Sequence, residues 1–362
     1  MEKYYVAVIS APKHIGIASV RKLLDYFGNA ESVWFAESAE LEQAGLSKTG
    51  LQSFLEFREK NPYAPEKLID YCDANGIGLC SIVDDDYPPI LKEIQSPPAV
   101  IYYYGELQPS AERIAMVGTR KFTNYGKQVA ADIAEGLAAA GITVVSGAAK
   151  GIDTFSHMGA MKYGRTVAVL GCGISFAFKS ANRDVIKEIT EKGVVMTEYV
   201  PSQPSTKETF PPRNRIIAGL CRGVIVVEAG IKSGALITCD YAGDYGRDVF
   251  AVPGKIYEDT SAGCNELIRD GAILVRSAED VLEFYNFKID KKPVKEIVNN
   301  ETVKLEGIEK KVFDAIPSGD FINVDEILMA VDEVSFGEID LILTKLENKN
   351  LIVEKDRTYS RR

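Results

Sequence analysis

Between Arg113 and Val275 the chain repeats one unit: a short, unbroken apolar run followed by a helix-length stretch. The runs fall at 114–117 (IAMV), 143–145 (TVV), 166–170 (TVAVL), 193–197 (GVVMT), 223–227 (GVIVV), 248–252 (DVFAV) and 272–275 (AILV). A strand with one wet face alternates apolar and polar residues, whereas a strand covered on both faces is apolar throughout. Strands of the second kind, separated by helices, predict an α/β architecture with a central Rossmann-like, doubly wound, mostly parallel sheet. In such sheets ligands sit beyond the carboxyl ends of the strands, so the residues just after each run are the first place to look for function.

At 362 residues the chain exceeds what one core sustains, and the pattern changes on either side of the repeat. Residues 1–75 carry apolar clusters at helical spacing (Val20, Leu23, Leu24; Val33, Trp34, Phe35; Leu51, Phe54, Leu55, Phe57) broken by Gly28, Gly45 and Gly50, which predicts a compact helical domain. His14 to Val20 is similar to a helix-hairpin-helix turn but lacks its second glycine, which favours a plain packing role. Residues 76–110 read as connecting strands and proline turns, 111–287 as the Rossmann-like domain and 288–302 as a charged linker. Residues 303–362 show three helical faces (Leu305, Ile308, Val312, Ile316; Ile327, Leu328, Val331; Ile339, Ile342, Leu343, Leu346), then extended segments at 351–354 and 358–360. That order predicts a winged helix. Its third helix carries Glu338, Asp340 and Glu347 against Lys345 and Lys349, which disfavours reading a DNA major groove.

Charge narrows the function classes. The net charge is −10; Lys+Arg against Asp+Glu runs 9 to 16 over residues 1–110, 20 to 20 over 111–287 and 13 to 16 over 288–362. No broad basic surface exists, so an anion must be met by a local, built site. The six cysteines are scattered with no CxxC pair and only two histidines accompany them, so neither a metal nor a cofactor site is expected. No apolar window approaches membrane-spanning length and the amino terminus lacks the regions of a signal peptide, which predicts a cytoplasmic protein with no membrane partner.

Several strand ends resemble anion cradles. The first gives Gly118-Thr119-Arg120, then a helix opened by Thr123-Asn124-Tyr125-Gly126; the second gives Ser146-Gly147-Ala148-Ala149-Lys150-Gly151-Ile152-Asp153. Glycine admits close backbone approach, a helix amino end supplies free N–H groups, and arginine offers a planar fork to phosphate. A dinucleotide site is not indicated, because GxGxxG and the acidic ribose ligand are both missing. The third strand is followed by Lys179 and Asn182, the fourth by Lys207, Phe210, Arg213, Asn214 and Arg215, and the fifth by Lys232-Ser233-Gly234. Cations interleaved with an aromatic ring suit a single-stranded nucleic acid; against this, one of Arg213 and Arg215 is expected to be paired with Glu198 or Glu228 instead.

Taken together, VGTRKFTNYG, VVSGAAKGIDTFSHMGAM, VAVLGCGI, FPPRNRIIAGLCRGVIVVEAGIKSGALITCDYAGDYGRDVFAVPG and SAGCNELIRDGA resemble the DNA-processing protein A family (DprA, also called Smf), in unbroken order across about 114–276. The resemblance implies a non-catalytic protein that binds and protects incoming single-stranded DNA during natural transformation, forms a homodimer and helps load the RecA recombinase. It further implies a SAM-like amino-terminal domain and a winged helix at the carboxyl end. By motif, Arg120 would contact DNA phosphate, with Lys179, Lys207 and Phe210 beside it. Gly118, Ser146, Gly147, Gly151 and Gly234 would line the phosphate track, and Ile273, Val281, Leu282 and Phe284 are dimer-interface candidates. Thr119, Tyr125, Asp153, Asn182, Arg213, Asn214, Arg215 and Ser233 complete the candidate DNA-binding set.

The competing class is an enzyme. A nucleotide phosphoribohydrolase of the lysine-decarboxylase-like type would carry PGGxGTxxE where this chain reads Glu228-Ala229-Gly230-Ile231-Lys232-Ser233-Gly234-Ala235. The helix-borne glutamate is missing, no Ser-His-Asp or Cys-His set is formed by strand ends, and no Walker lysine motif is present.

Overall fold

The computed structural model describes residues 1–179, 182–287 and, beyond them, 305, 307–317, 321–331, 334, 338–339, 342–343, 345–346, 351–355 and 358–361. The expected linker 288–302 and the residues Asp340, Glu347 and Lys349 lie outside them. Contacts divide the chain into two compact units, Met1–Asp290 and Lys291–Arg362.

The first unit is built on a nine-stranded sheet: β1 (Gly78–Ser81), β2 (Val100–Gly105), β3 (Arg113–Gly118), β4 (Thr143–Ser146), β5 (Thr166–Val169), β6 (Val194–Thr197), β7 (Gly223–Glu228), β8 (Asp248–Ala251) and β9 (Ile273–Leu274). Spatially the order is β1-β2-β6-β5-β4-β3-β7-β8-β9. β3 to β9 pair in parallel, while β1 and β2 add an antiparallel edge onto β6. From β3 the chain steps outward through β4, β5 and β6, then returns to lay β7 on the other side of β3, so the winding reverses between β3 and β7. Each apolar run named above holds a strand, and β1 and β2 show that residues 76–110 contribute to the sheet as well as connecting to it.

Both faces of the sheet are covered, which is why its strands read as continuous apolar runs. Ile114 and Met116 of β3 pack with Ala130, Ile133 and Leu137 of the helix Asn124–Ala139. Their neighbours Ala115 and Val117 face Ile216, Ile217 and Leu220, at the end of the helix Phe210–Gly219. Toward the β1 edge, the amino-terminal helices share a core with the sheet through Tyr5, Val8, Trp34 and Phe54 against Leu79, Tyr102 and Val195. All six cysteines are free and buried. Burial pushes the Cys72 thiol up to about 11 and those of Cys239 and Cys264 up to about 12, and it is the largest influence on the remaining three as well.

The second unit has helices Gly307–Ala315 and Val324–Ala330, helical residues within 338–346, and three short strands, β10 (Ile322–Asn323), β11 (Ile352–Lys355) and β12 (Thr358–Arg361), ordered β10-β12-β11. Asn323 and Glu326 cap the second helix reciprocally, each side chain accepting from the other's backbone N–H at 2.9 and 3.1 Å. Val312, Ile316, Ile327, Ile339, Leu343, Leu346 and Ile352 form its core.

Candidate functional site

Where the winding reverses, β3 and β7 lose register between Val117 and Gly118, and Thr119 N donates to Glu228 O at 2.7 Å. The turn after β3 is also tied to the turn after β4, since Ile152 N donates to Thr119 O at 3.3 Å. Two glycines allow that approach. A Cβ on Gly118 would meet the Ile152 side chain at 2.6 Å, and one on Gly151, whose φ is +104°, would overlap Thr119 O.

A cleft of about 390 Å³ opens above this seam. One wall is Thr119, Arg120 and Lys121, a second is Phe210, Arg213 and Asn214 at the start of the helix Phe210–Gly219, and a third is Ser233, Gly234 and Thr238 beyond β7. Arg120 and Lys121 are exposed. The Arg120 guanidinium lies 5.1 Å from the centre of the Phe210 ring and that of Arg213 lies 5.9 Å from it, so one ring serves two cations. Asn214 Nδ2 donates to Gly234 O at 3.3 Å, and a Cβ on Gly234 would meet nothing within 4 Å.

Gly118, Thr119, Arg120, Asp153, Phe210, Arg213, Asn214, Ser233 and Gly234 are thus brought to one cleft. Lys179 and Lys207 are exposed, but neither they nor Asn182 line it. Asn182 Nδ2 instead donates to Ala148 O at 2.8 Å. Tyr125 lines a separate cleft and its hydroxyl donates to Pro253 O at 2.9 Å. Lys121, Pro211 and Thr238 belong to the lining and were missed; Lys121 was legible as the second cation of the Arg120 turn.

Below the cleft the turn after β4 is filled from within. Arg213, 4% exposed, donates through Nη1 to Gly147 O at 2.6 Å and to Val169 O, and through Nε to Asn214 Oδ1 at 3.2 Å. Its buried neighbour Asp153 accepts from Ala149 N at 3.3 Å. Burial pulls the arginine's pKa down and pushes the aspartate's up, and the charge of each opposes the shift of the other. A Cβ on Gly147 would meet both Arg213 and Asp153 at 2.6 Å. Ser146 Oγ donates to Met116 O at 2.6 Å inside the sheet. Ser146, Gly147 and Gly151, named for the phosphate track, do not line the cleft, and the Ser146 hydroxyl and the Gly147 carbonyl are engaged inside the protein.

His157 belongs to the same buried layer. Its Nε2 accepts from Ala148 N at 3.3 Å, and its Nδ1 lies 2.6 Å from Thr166 Oγ1, which donates to Val144 O at 2.8 Å. That chain of donors puts the proton on Nδ1, and burial pushes the imidazole pKa down to about 3, so the ring is neutral. Arg215 pairs with Glu198 at 2.5 Å, and burial raises the Glu198 carboxyl against the pull of that arginine. Arg215 is thus the one of the two arginines paired with a glutamate, as expected, while Arg213 is held by the backbone carbonyls of Gly147 and Val169.

The dimer candidates divide in the same way. Val281 and Leu282 are core residues packed with Ile114, Met116 and Phe250, so their apolar character serves this chain's own interior. Phe284 is 46% exposed and Leu274 of the edge strand β9 43%.

Residues 78–286 match the family model described as DNA recombination-mediator protein A. The chain is 45% identical over 209 residues to DNA processing protein DprA of Streptococcus pneumoniae, spanning 57% of this chain and 74% of that protein. It is 35% identical over 288 residues to Protein Smf of Synechocystis, spanning 78% and 72%. The crystal structure of the S. pneumoniae protein superposes with a TM-score of 0.67 at 36% identity, covering 78% of this chain and 98% of that one. A DNA processing protein A from Helicobacter pylori, studied for its single-stranded DNA binding mode, superposes with a TM-score of 0.53 at 28% identity, covering 58% and 95%. With the matched region holding every strand of the sheet and all three walls of the cleft, this chain belongs to the DNA recombination-mediator protein A (DprA/Smf) family.

Proposed function

We propose that this chain binds single-stranded DNA in the cleft above the β3–β7 seam, without a reaction of its own, protects incoming DNA in the cytoplasm during natural transformation, and hands it to a RecA recombinase. The observation that carries this reading is the pairing of exposed Arg120 and Lys121 with the Phe210 ring at one rim: two cations for phosphates and an aromatic group for a base. The acidic group of the cleft, Asp153, is turned toward Arg213 and the Ala149 amide, which supports binding over hydrolysis. Lys179 and Lys207, exposed beyond the cleft, would extend the track for a longer strand.

A homodimer is proposed through the β9 edge, where Leu274 and Phe284 offer apolar surface beside unpaired strand backbone. The carboxyl-terminal unit is read as a winged helix, on its helices and three-stranded antiparallel sheet. Among the described residues no helix is long and apolar enough to cross a membrane.

Fluorescence anisotropy of a labelled oligothymidine tests the main reading. Arg120→Ala is expected to weaken binding by about 1–3 kcal/mol, the range for a charged contact left unmade, and a duplex of equal length to bind far less well than the single strand. Equal affinity of wild type and variant, or of duplex and single strand, would falsify it.

A further inference from the structure

A second, larger cleft of about 660 Å³ opens at the carboxyl ends of β7 and β8 and shares no lining residue with the first. Its size falls within the roughly 300–1,000 Å³ of small-molecule sites. Two buried polar groups line it with hydrogen-bonding capacity unused among the described residues. Glu228, the last residue of β7, is 2% exposed; Oε2 accepts from Thr123 N at 3.0 Å, while Oε1 has no hydrogen-bond partner. Ser261 is 7% exposed and its hydroxyl makes no hydrogen bond.

Both groups are held in place. A Cβ on Gly126 would overlap the Glu228 carboxylate, and one on Gly254 would overlap Ser261 Oγ. Asn265 grips Gly254 on both sides, accepting from its N at 3.2 Å and donating to its O at 3.1 Å. Tyr125 and Pro253 contribute flat, apolar wall, and at the mouth the exposed Lys255 lies 3.8 Å from the carboxylate of Glu258, which also lines the cleft.

A fixed carboxylate oxygen that faces the cleft without a protein partner favours a ligand that donates to it, and a neighbouring hydroxyl can give or accept a bond. Among nucleobases, guanine presents two adjacent N–H donors beside a carbonyl. Adenine and cytosine place an acceptor next to their amino group, and thymine flanks its single N–H with two carbonyls that a carboxylate repels. We propose that this second cleft binds a guanine base, edge-on to Glu228 and Ser261 and against Tyr125. The base would come from a free guanine nucleotide or from a DNA strand; only the second source rests on the strand-binding reading above.

Calorimetric titration of the full chain with GMP and AMP decides the matter. Wild type should bind GMP roughly tenfold or more tightly than AMP, the discrimination usual for a bidentate base contact. Glu228→Gln should abolish that preference, and the milder Ser261→Ala, which leaves the Glu228–Thr123 hydrogen bond intact, should weaken GMP about three- to tenfold. Equal affinity for the two nucleotides, no binding of either, or GMP affinity untouched by Ser261→Ala overturns the proposal. Arg120→Ala alters the first cleft alone, so an unchanged GMP affinity supports the second cleft and a parallel loss counts against it. To separate the sources, oligothymidine is compared with the same strand carrying one deoxyguanosine. A gain in affinity that Ser261→Ala removes assigns the site to a strand base, and no gain alongside GMP binding assigns it to the free nucleotide.

Discussion

The turns that follow β4 and β7 look alike in sequence, each a run of small residues with glycine ahead of a helix, yet the first is filled by the protein and the second stands open. At Gly147 an added Cβ would strike Arg213 and Asp153, whereas at Gly234 it would meet nothing within 4 Å. A glycine before a helix therefore answers two different demands, close packing of the chain on itself or access for something else. The neighbours decide which. Around β4 they are a buried arginine, a buried aspartate and a neutral histidine; around β7 they are Ser233, the exposed Arg120 turn and solvent.

Removing the arginine should break the contrast most severely. Arg213→Ala leaves two buried carbonyls without their donor and removes the positive charge near Asp153, and a loss of about 2–5 kcal/mol is expected in chemical denaturation, the sum of two charged hydrogen bonds left unmade. Stability unchanged by that substitution would mean that the turn after β4 is not held from within. Next in size, Gly147→Ala should cost about 1–3 kcal/mol through overpacking, read as a lowered midpoint in the same assay.

The neutral imidazole makes the closed turn sensitive to acid. Because the His157 pKa is depressed from 6.5 to about 3, the unfolded chain takes up a proton that the folded chain refuses. Its contribution is whole above about pH 6.5 and is lost as the pH falls toward 3, with a slope of at most about 1.4 kcal/mol per unit. Thermal melts from pH 7 to 4 should show wild type losing more stability than His157→Gln; parallel curves would contradict the assignment. Smallest of all, Gly234→Ala should stay within about 0.5 kcal/mol of wild type, and a change comparable to that of Gly147→Ala would erase the distinction between the turns.

The sheet was legible because its strands are buried on both faces, so each apolar run from 114 to 275 marks a strand regardless of register. β1 and β2 were harder to place, since sequence shows two short strands between proline turns but not that they pair with β6. In the cleft, Arg120, Phe210, Asn214 and Gly234 could be named from motif and strand-end position. The fate of Arg213 could not, because its partners Gly147 and Val169 lie 66 and 44 residues away and only the parallel order β5-β4-β3 brings them together. Likewise Val281 and Leu282 share an apolar pattern with any interface helix, and only packing against β3 and β8 shows which way they face.

The burial of all six cysteines gives this chain a chemically quiet exterior. Thiolate, the form that attacks alkylating reagents and disulfides, is scarce at neutral pH when a thiol is sealed in apolar surroundings. A cysteine introduced on purpose at Lys121 or Gly234 would then react alone, and one dye placed on either lip of the cleft would report strand arrival without removing a native residue from the core.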